Sequence, residues 1–69
     1  MFRFIRTKIL PLFLEREITV YKLSQMADVS YRTCQRAING DRVSAPAISR
    51  ICKALGIAQD EQINFIQEF

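Results

Sequence analysis

Histidine and tryptophan are absent from this chain. Without histidine, the commonest metal ligand and the commonest general base near neutral pH are missing. Glycine and proline number only two each in 69 residues. That is too few turn formers for strand-and-turn architectures, so an all-α fold is expected. Cysteine also occurs just twice, as Cys34 and Cys52. Two cysteines without a C-x-x-C spacing make neither a structural zinc site nor a disulfide-dense secreted domain. We read them as reduced, buried thiols in a cytoplasmic protein. No apolar run approaches the roughly 20 residues of a membrane span. Residues 1–8 are basic and residues 9–14 apolar, a loose likeness to a secretory leader. Glu15, Arg16 and Glu17 follow, however, where small residues and a cleavage site belong. No nucleophile–base pair or paired carboxylates are recognisable, so no enzymatic activity, cofactor or metal is expected.

What is present fits one small domain over residues 1–69. A chain of this size buries about 60% of its unfolded surface, and its stability lies at roughly 3–10 kcal/mol. Apolar residues make up 49% and charged residues 25%, ordinary globular values that exclude disorder. The net charge of +3 is unevenly spread. All ten Lys and Arg fall between Arg3 and Lys53, against four acids there, a local charge of +6. Asp60, Glu61 and Glu68 leave the tail at −3. A basic body with an acidic tail points to a polyanionic partner.

The apolar spacing is helical throughout. Phe2, Ile5, Ile9 and Leu12 or Phe13 form one face of a first helix that ends near Glu15 to Glu17. If Thr7 caps it, Pro11 falls in or just after the tolerated first turn; if it begins near Phe2, Pro11 should kink it. Thr19 is a good N-cap for a second helix, Val20–Ala27. Asp28-Val29 makes a tight turn, and Ser30 caps a third helix, Tyr31–Ile38, stopped by Asn39-Gly40. Ser44 caps a fourth helix, with Pro46 in its permitted first turn and Ile48, Ile51, Cys52 and Leu55 inward. Gly56 ends it. A last helix starts at Asp60 and Glu61 and carries an apolar stripe of Ile63, Ile66 and Phe69.

Two short helices joined by a three-residue turn are the helix-turn-helix pattern. Ile18-Thr19, Leu23, Val29-Ser30, Thr33, Arg36, Gly40, Arg42 and Lys53-Ala54-Leu55-Gly56-Ile57 stand at its landmarks. On these residues, positions 18–57 resemble the Cro and lambda-repressor-like (XRE-type) helix-turn-helix family. The resemblance implies a compact five-helix DNA-binding domain with the motif in helices two and three. Several positions depart from the family pattern. Asp28 replaces the usual turn glycine, and Ser24 the usual alanine. Cys34 and Ala37 replace bulky branched residues, which leaves volume for the phenylalanines and Ile38 to fill. Val20 replaces a glutamine that contacts phosphate. Val43 replaces a loop proline, in a loop one residue shorter than usual.

An α-helix fits the major groove of B-DNA, where each base pair shows its own donor and acceptor pattern. With Cys34, Ala37 and partly Ile38 inward, the third helix turns Tyr31, Arg32, Gln35, Arg36 and Asn39 outward. The resemblance assigns base reading to Ser30, Tyr31, Arg32, Gln35 and Arg36. Arg32 and Arg36 suit guanine O6 and N7, Gln35 suits adenine, and Tyr31 a thymine methyl or a phosphate. Phosphate contacts are expected from Thr19, Tyr21, Lys22, Asn39, Arg42 and Ser44. Arg50 and Lys53 are expected mainly in solvent.

The first helix carries an apolar surplus. Leu10 and Leu14 lie off its main stripe, with Phe4 beside them. They are candidates, with Phe69, for a homodimer contact, since the family usually binds two half-sites. The leading reading is a sequence-specific, repressor-like regulator of bacterial or phage type. The alternative is a protein-interaction module, such as an antitoxin or adaptor, that keeps the motif as scaffold and binds through Leu10, Leu14 and Phe69. A membrane-surface peptide built on Arg3, Arg6 and Lys8 is a distant third.

Overall fold

The structure, a computed structural model, describes residues 2–68. Its elements are β1 (Phe2–Phe4), α1 (Arg6–Glu15), α2 (Val20–Ala27), α3 (Tyr31–Ile38), α4 (Ala45–Ala54), a 3₁₀ helix (Gln59–Asn64) and β2 (Ile66–Glu68). The fold is mostly helical, with five helical segments and one small sheet.

Three hydroxyl side chains start the three central helices. Thr19 Oγ1 accepts from the Lys22 N–H at 3.0 Å, Ser30 Oγ from Thr33 at 3.2 Å, and Ser44 Oγ from Ala47 at 3.4 Å. Each removes one of the orphan donors that a helix N-terminus leaves. The helix ends are equally local. Asp28 closes α2 in the left-handed region, φ 55° and ψ 46°. Gly40 and Gly56 take φ of 87° and 75° after α3 and α4. An L-residue at Asp28 carries steric cost that glycine does not. Asp28→Gly should therefore raise stability by about 0.5–1 kcal/mol, read from the urea midpoint. A midpoint that falls would show the carboxylate to be stabilising. Arg50 ties this turn to α4, its Nη1 donating to the Asp28 carbonyl at 3.4 Å. That contact is to backbone, so the substitution leaves it in place.

The two ends of the chain depart from the sequence expectation. Phe2 belongs to a strand, not to the first helix, and Ile5 is the N-cap of α1. β1 pairs antiparallel with β2, Phe2 opposite Glu68, Arg3 opposite Gln67 and Phe4 opposite Ile66. On its other side Phe2 exchanges both backbone hydrogen bonds with Val43, at 3.2 and 2.8 Å. Thr7 caps nothing, because α1 begins one residue before it with no side-chain cap. Pro11 lies inside α1, past the first turn. It deprives the Thr7 carbonyl of its helical donor on an exposed face. The expected last helix is a 3₁₀ helix that stops at Asn64. The expected stripe does not form: Ile63 is 79% exposed, Ile66 sits in β2, and Phe69 lies outside the described residues.

The core follows from this arrangement. Phe4, Ile9, Leu23, Cys34, Ile51 and Cys52 are essentially inaccessible. Phe13, Ile38, Val43, Ile48, Leu55 and Ile57 close around them. β1 packs on both α3 and α4, and its Phe4 belongs to the core. Phe4 is therefore not beside Leu10 and Leu14 on a spare surface. Leu10 is half-buried and packs against the core, whereas Leu14 remains 65% exposed. Ser24, the one buried polar side chain among the described residues, donates its hydroxyl to the Tyr21 carbonyl at 2.6 Å. That satisfies a group which burial would otherwise penalise.

Candidate nucleic-acid interface

Helix α3 has two unlike sides. Cys34, Ala37 and Ile38 are buried, while Tyr31, Arg32, Gln35, Arg36 and Asn39 are exposed. The outward set carries two guanidinium groups, two amides and a phenol, and no acid. Ser30, also exposed, is engaged locally: its oxygen caps α3 and its proton goes to Thr33 Oγ1 at 2.8 Å. Arg32 and Gln35 make no side-chain hydrogen bond among the described residues, so their donors face solvent. Arg36 reaches the loop after α3, its Nη2 3.5 Å from the Arg42 carbonyl. That links the helix to the loop residue expected at phosphate.

The first turn of α2 presents Thr19, Tyr21 and Lys22, all exposed. Gln25, one turn on, donates its Nε2 to the Tyr21 hydroxyl oxygen at 3.0 Å. The phenol is thereby oriented while its own proton stays available as a donor. Gln25 was not among the expected residues, although its i, i+4 spacing from Tyr21 is a signal that points to the pair. The Arg50 contact to Asp28 was not readable, because the partners are 22 positions apart and the acceptor is a carbonyl. Ser44 is exposed and serves as the α4 cap; Asn39 and Arg42 are exposed at the end of α3 and in the following loop. Thr19→Ala removes a cap and should cost about 1 kcal/mol of stability. A urea midpoint equal to wild type would remove the cap from this account.

The two thiols are free and buried. Burial alone pushes Cys34 above the usual thiol value of 9.0 and Cys52 up to about 11. A group whose folded pKa is raised favours the folded state while it stays protonated. Stability from Cys52 is thus intact below pH 9.0 and is lost as pH rises toward 11. The thiolate is the reactive form, so iodoacetamide at pH 8 should label neither cysteine in the native protein while it labels both in urea. Rapid native labelling of Cys34 would instead make it a redox-sensor candidate.

Among the described residues, no group of three or more His, Cys, Asp or Glu could hold a metal ion. No helix there is long and apolar enough to cross a membrane. No curated protein and no solved structure gave a significant match to the chain. A family model does match, the Cro/C1-type HTH DNA-binding domain, over residues 8–68. That span takes in the capped α2, the left-handed turn at Asp28, and α3 with its basic outer face. The chain therefore belongs to the Cro/C1-type helix-turn-helix family and is a DNA-binding domain.

Proposed function

We propose that the chain is a sequence-specific transcriptional regulator, repressor-like and of bacterial or phage type, that reads the major groove with α3. The observation that carries this is the two-sided character of α3. A helix anchored by fully buried Cys34 and Ala37 holds Arg32, Gln35, Arg36 and Tyr31 out at fixed helical spacing. Arg32 and Arg36 take guanine, Gln35 takes adenine, and Tyr31 meets a thymine methyl or the backbone. Ser30 stands at the groove end of the helix. Thr19, Tyr21, Lys22, Asn39, Arg42 and Ser44 contact phosphate and set the register. The chain works in the cytoplasm, where such a duplex is found.

The protein acts as a homodimer. The described domain measures 26 Å along its longest axis, while paired half-sites stand about 34 Å apart. Exposed Leu14 is the apolar residue of α1 open to a second copy. Leu10 contributes less, being packed inward.

Selection of bound duplexes from a random library tests the reading, followed by a salt series and the mass of the complex. One enriched, two-fold related sequence bound by two chains is expected, with affinity that falls steeply with salt. Enrichment of no sequence would sink the regulator reading and favour the protein-interaction module. A single chain on the selected duplex would sink the dimer.

A further inference from the structure

A second basic surface adjoins the outward face of α3. Arg3, Arg6, Thr7, Asn39, Gly40 and Gln67 line most of a cleft of about 300 Å³. Gly40 stands beside two of its walls. At φ 87° it bears no Cβ, and one placed there would stand 3.5 Å from Arg6 Cβ and 3.6 Å from the Phe4 carbonyl oxygen. The end of α3 and the start of α1 are therefore close neighbours, and Arg6 rises from a point next to Gly40. Arg3 stands at a set place in the cleft wall: its Nε and Nη2 donate to Gln67 Oε1 at 3.0 and 2.8 Å. Arg6 is exposed. No acid is among the described residues that line the cleft.

We propose that this cleft docks the sugar–phosphate backbone of the same duplex that α3 reads, with Arg6 as the charged contact and Arg3 beside it. The proposal rests on the DNA reading of α3 and extends it to the first turn of α1. Two features support it. Asn39 is at once the exposed C-cap of α3 and a wall of the cleft, so the groove face and the cleft are continuous. The described lining is also complementary to a strand of phosphates, since it offers guanidinium, amide and hydroxyl donors and no carboxylate side chain. A strand that leaves the groove past Asn39 carries its charges over this surface, because duplex DNA has one charge per ~1.7 Å of axis.

The test compares wild type with Arg6→Gln, Arg6→Lys and Arg32→Ala. Each is titrated on a library-selected duplex and on a random duplex across a salt series. Arg6→Gln should weaken both duplexes by the same factor, roughly tenfold at 0.1 M salt, and flatten the log–log salt slope by about 0.9. Arg6→Lys should keep the slope. Arg32→Ala should weaken only the selected duplex. Wild-type affinity and slope in Arg6→Gln would overturn the cleft, while a loss in Arg32→Ala leaves the α3 reading standing. A loss confined to the selected duplex would also overturn it, since Arg6 would then touch a base. A wild type that binds neither duplex removes both readings. Arg6→Gln keeps the β- and γ-carbons, and a urea midpoint equal to wild type ties the change to the contact.

Discussion

Phe4→Ala should cost about 3–5 kcal/mol, the range for emptying an aromatic site in a packed core. Phe4 is 1% exposed, in a strand held by Val43 on one side and β2 on the other. Neither neighbour can collapse into the space without breaking its own pairing. A chain this short has roughly 3–10 kcal/mol in all, so the variant should be near or past its folding limit at 25 °C. Urea melts followed by circular dichroism measure it. Phe2→Ala is the control: it removes the same ring from a half-buried position one pleat away and should cost distinctly less. Equal small losses at both positions would show that the strand is not part of the core.

The second large effect is on binding. Arg32→Ala should lose about 1–3 kcal/mol on the selected duplex, equivalent to roughly 5- to 150-fold, and relax the preference at one base pair. Arg32 is the better probe of base reading than Arg36. Its side chain makes no hydrogen bond among the described residues, whereas Arg36 also holds the Arg42 carbonyl. Arg36→Ala should consequently loosen the loop as well and weaken random duplex to some degree. Fluorescence anisotropy on the two duplexes separates the cases. An Arg32→Ala loss of equal size on both duplexes would mark it as a phosphate contact.

The parts of the fold that sequence reveals are those specified within four residues. Thr19, Ser30 and Ser44 cap because a hydroxyl reaches the N–H three positions on, and all three do so here. The outer face of α3 followed from the positions of Cys34 and Ala37 for the same reason. The sheet was hidden because its strands are three residues long and its central pair, Arg3 and Gln67, lies 64 positions apart. Phe2 and Ile5 happen to be spaced like one face of a helix, and nothing local distinguishes that from a strand and an N-cap. Pro11 gave two clean alternatives, and the helix took neither start. The pairing of β1 with β2 set the boundary at Arg6 from outside. The basic cleft was hidden likewise, because it joins residues from opposite ends of the chain.

The β1–β2 pairing has a consequence for how the domain comes apart. It closes a loop of nearly the whole chain, which makes it the costliest contact to form in entropy and the natural last step of folding. Isolated, a ribbon of two three-residue strands would fray freely. Here it cannot, because peeling off β1 withdraws Phe4 from the core. The first strand is thus coupled to the helix-turn-helix, and peeling it off costs a large share of the free energy of global unfolding. A protease that needs residues 2–4 detached from the core would have to wait for that opening.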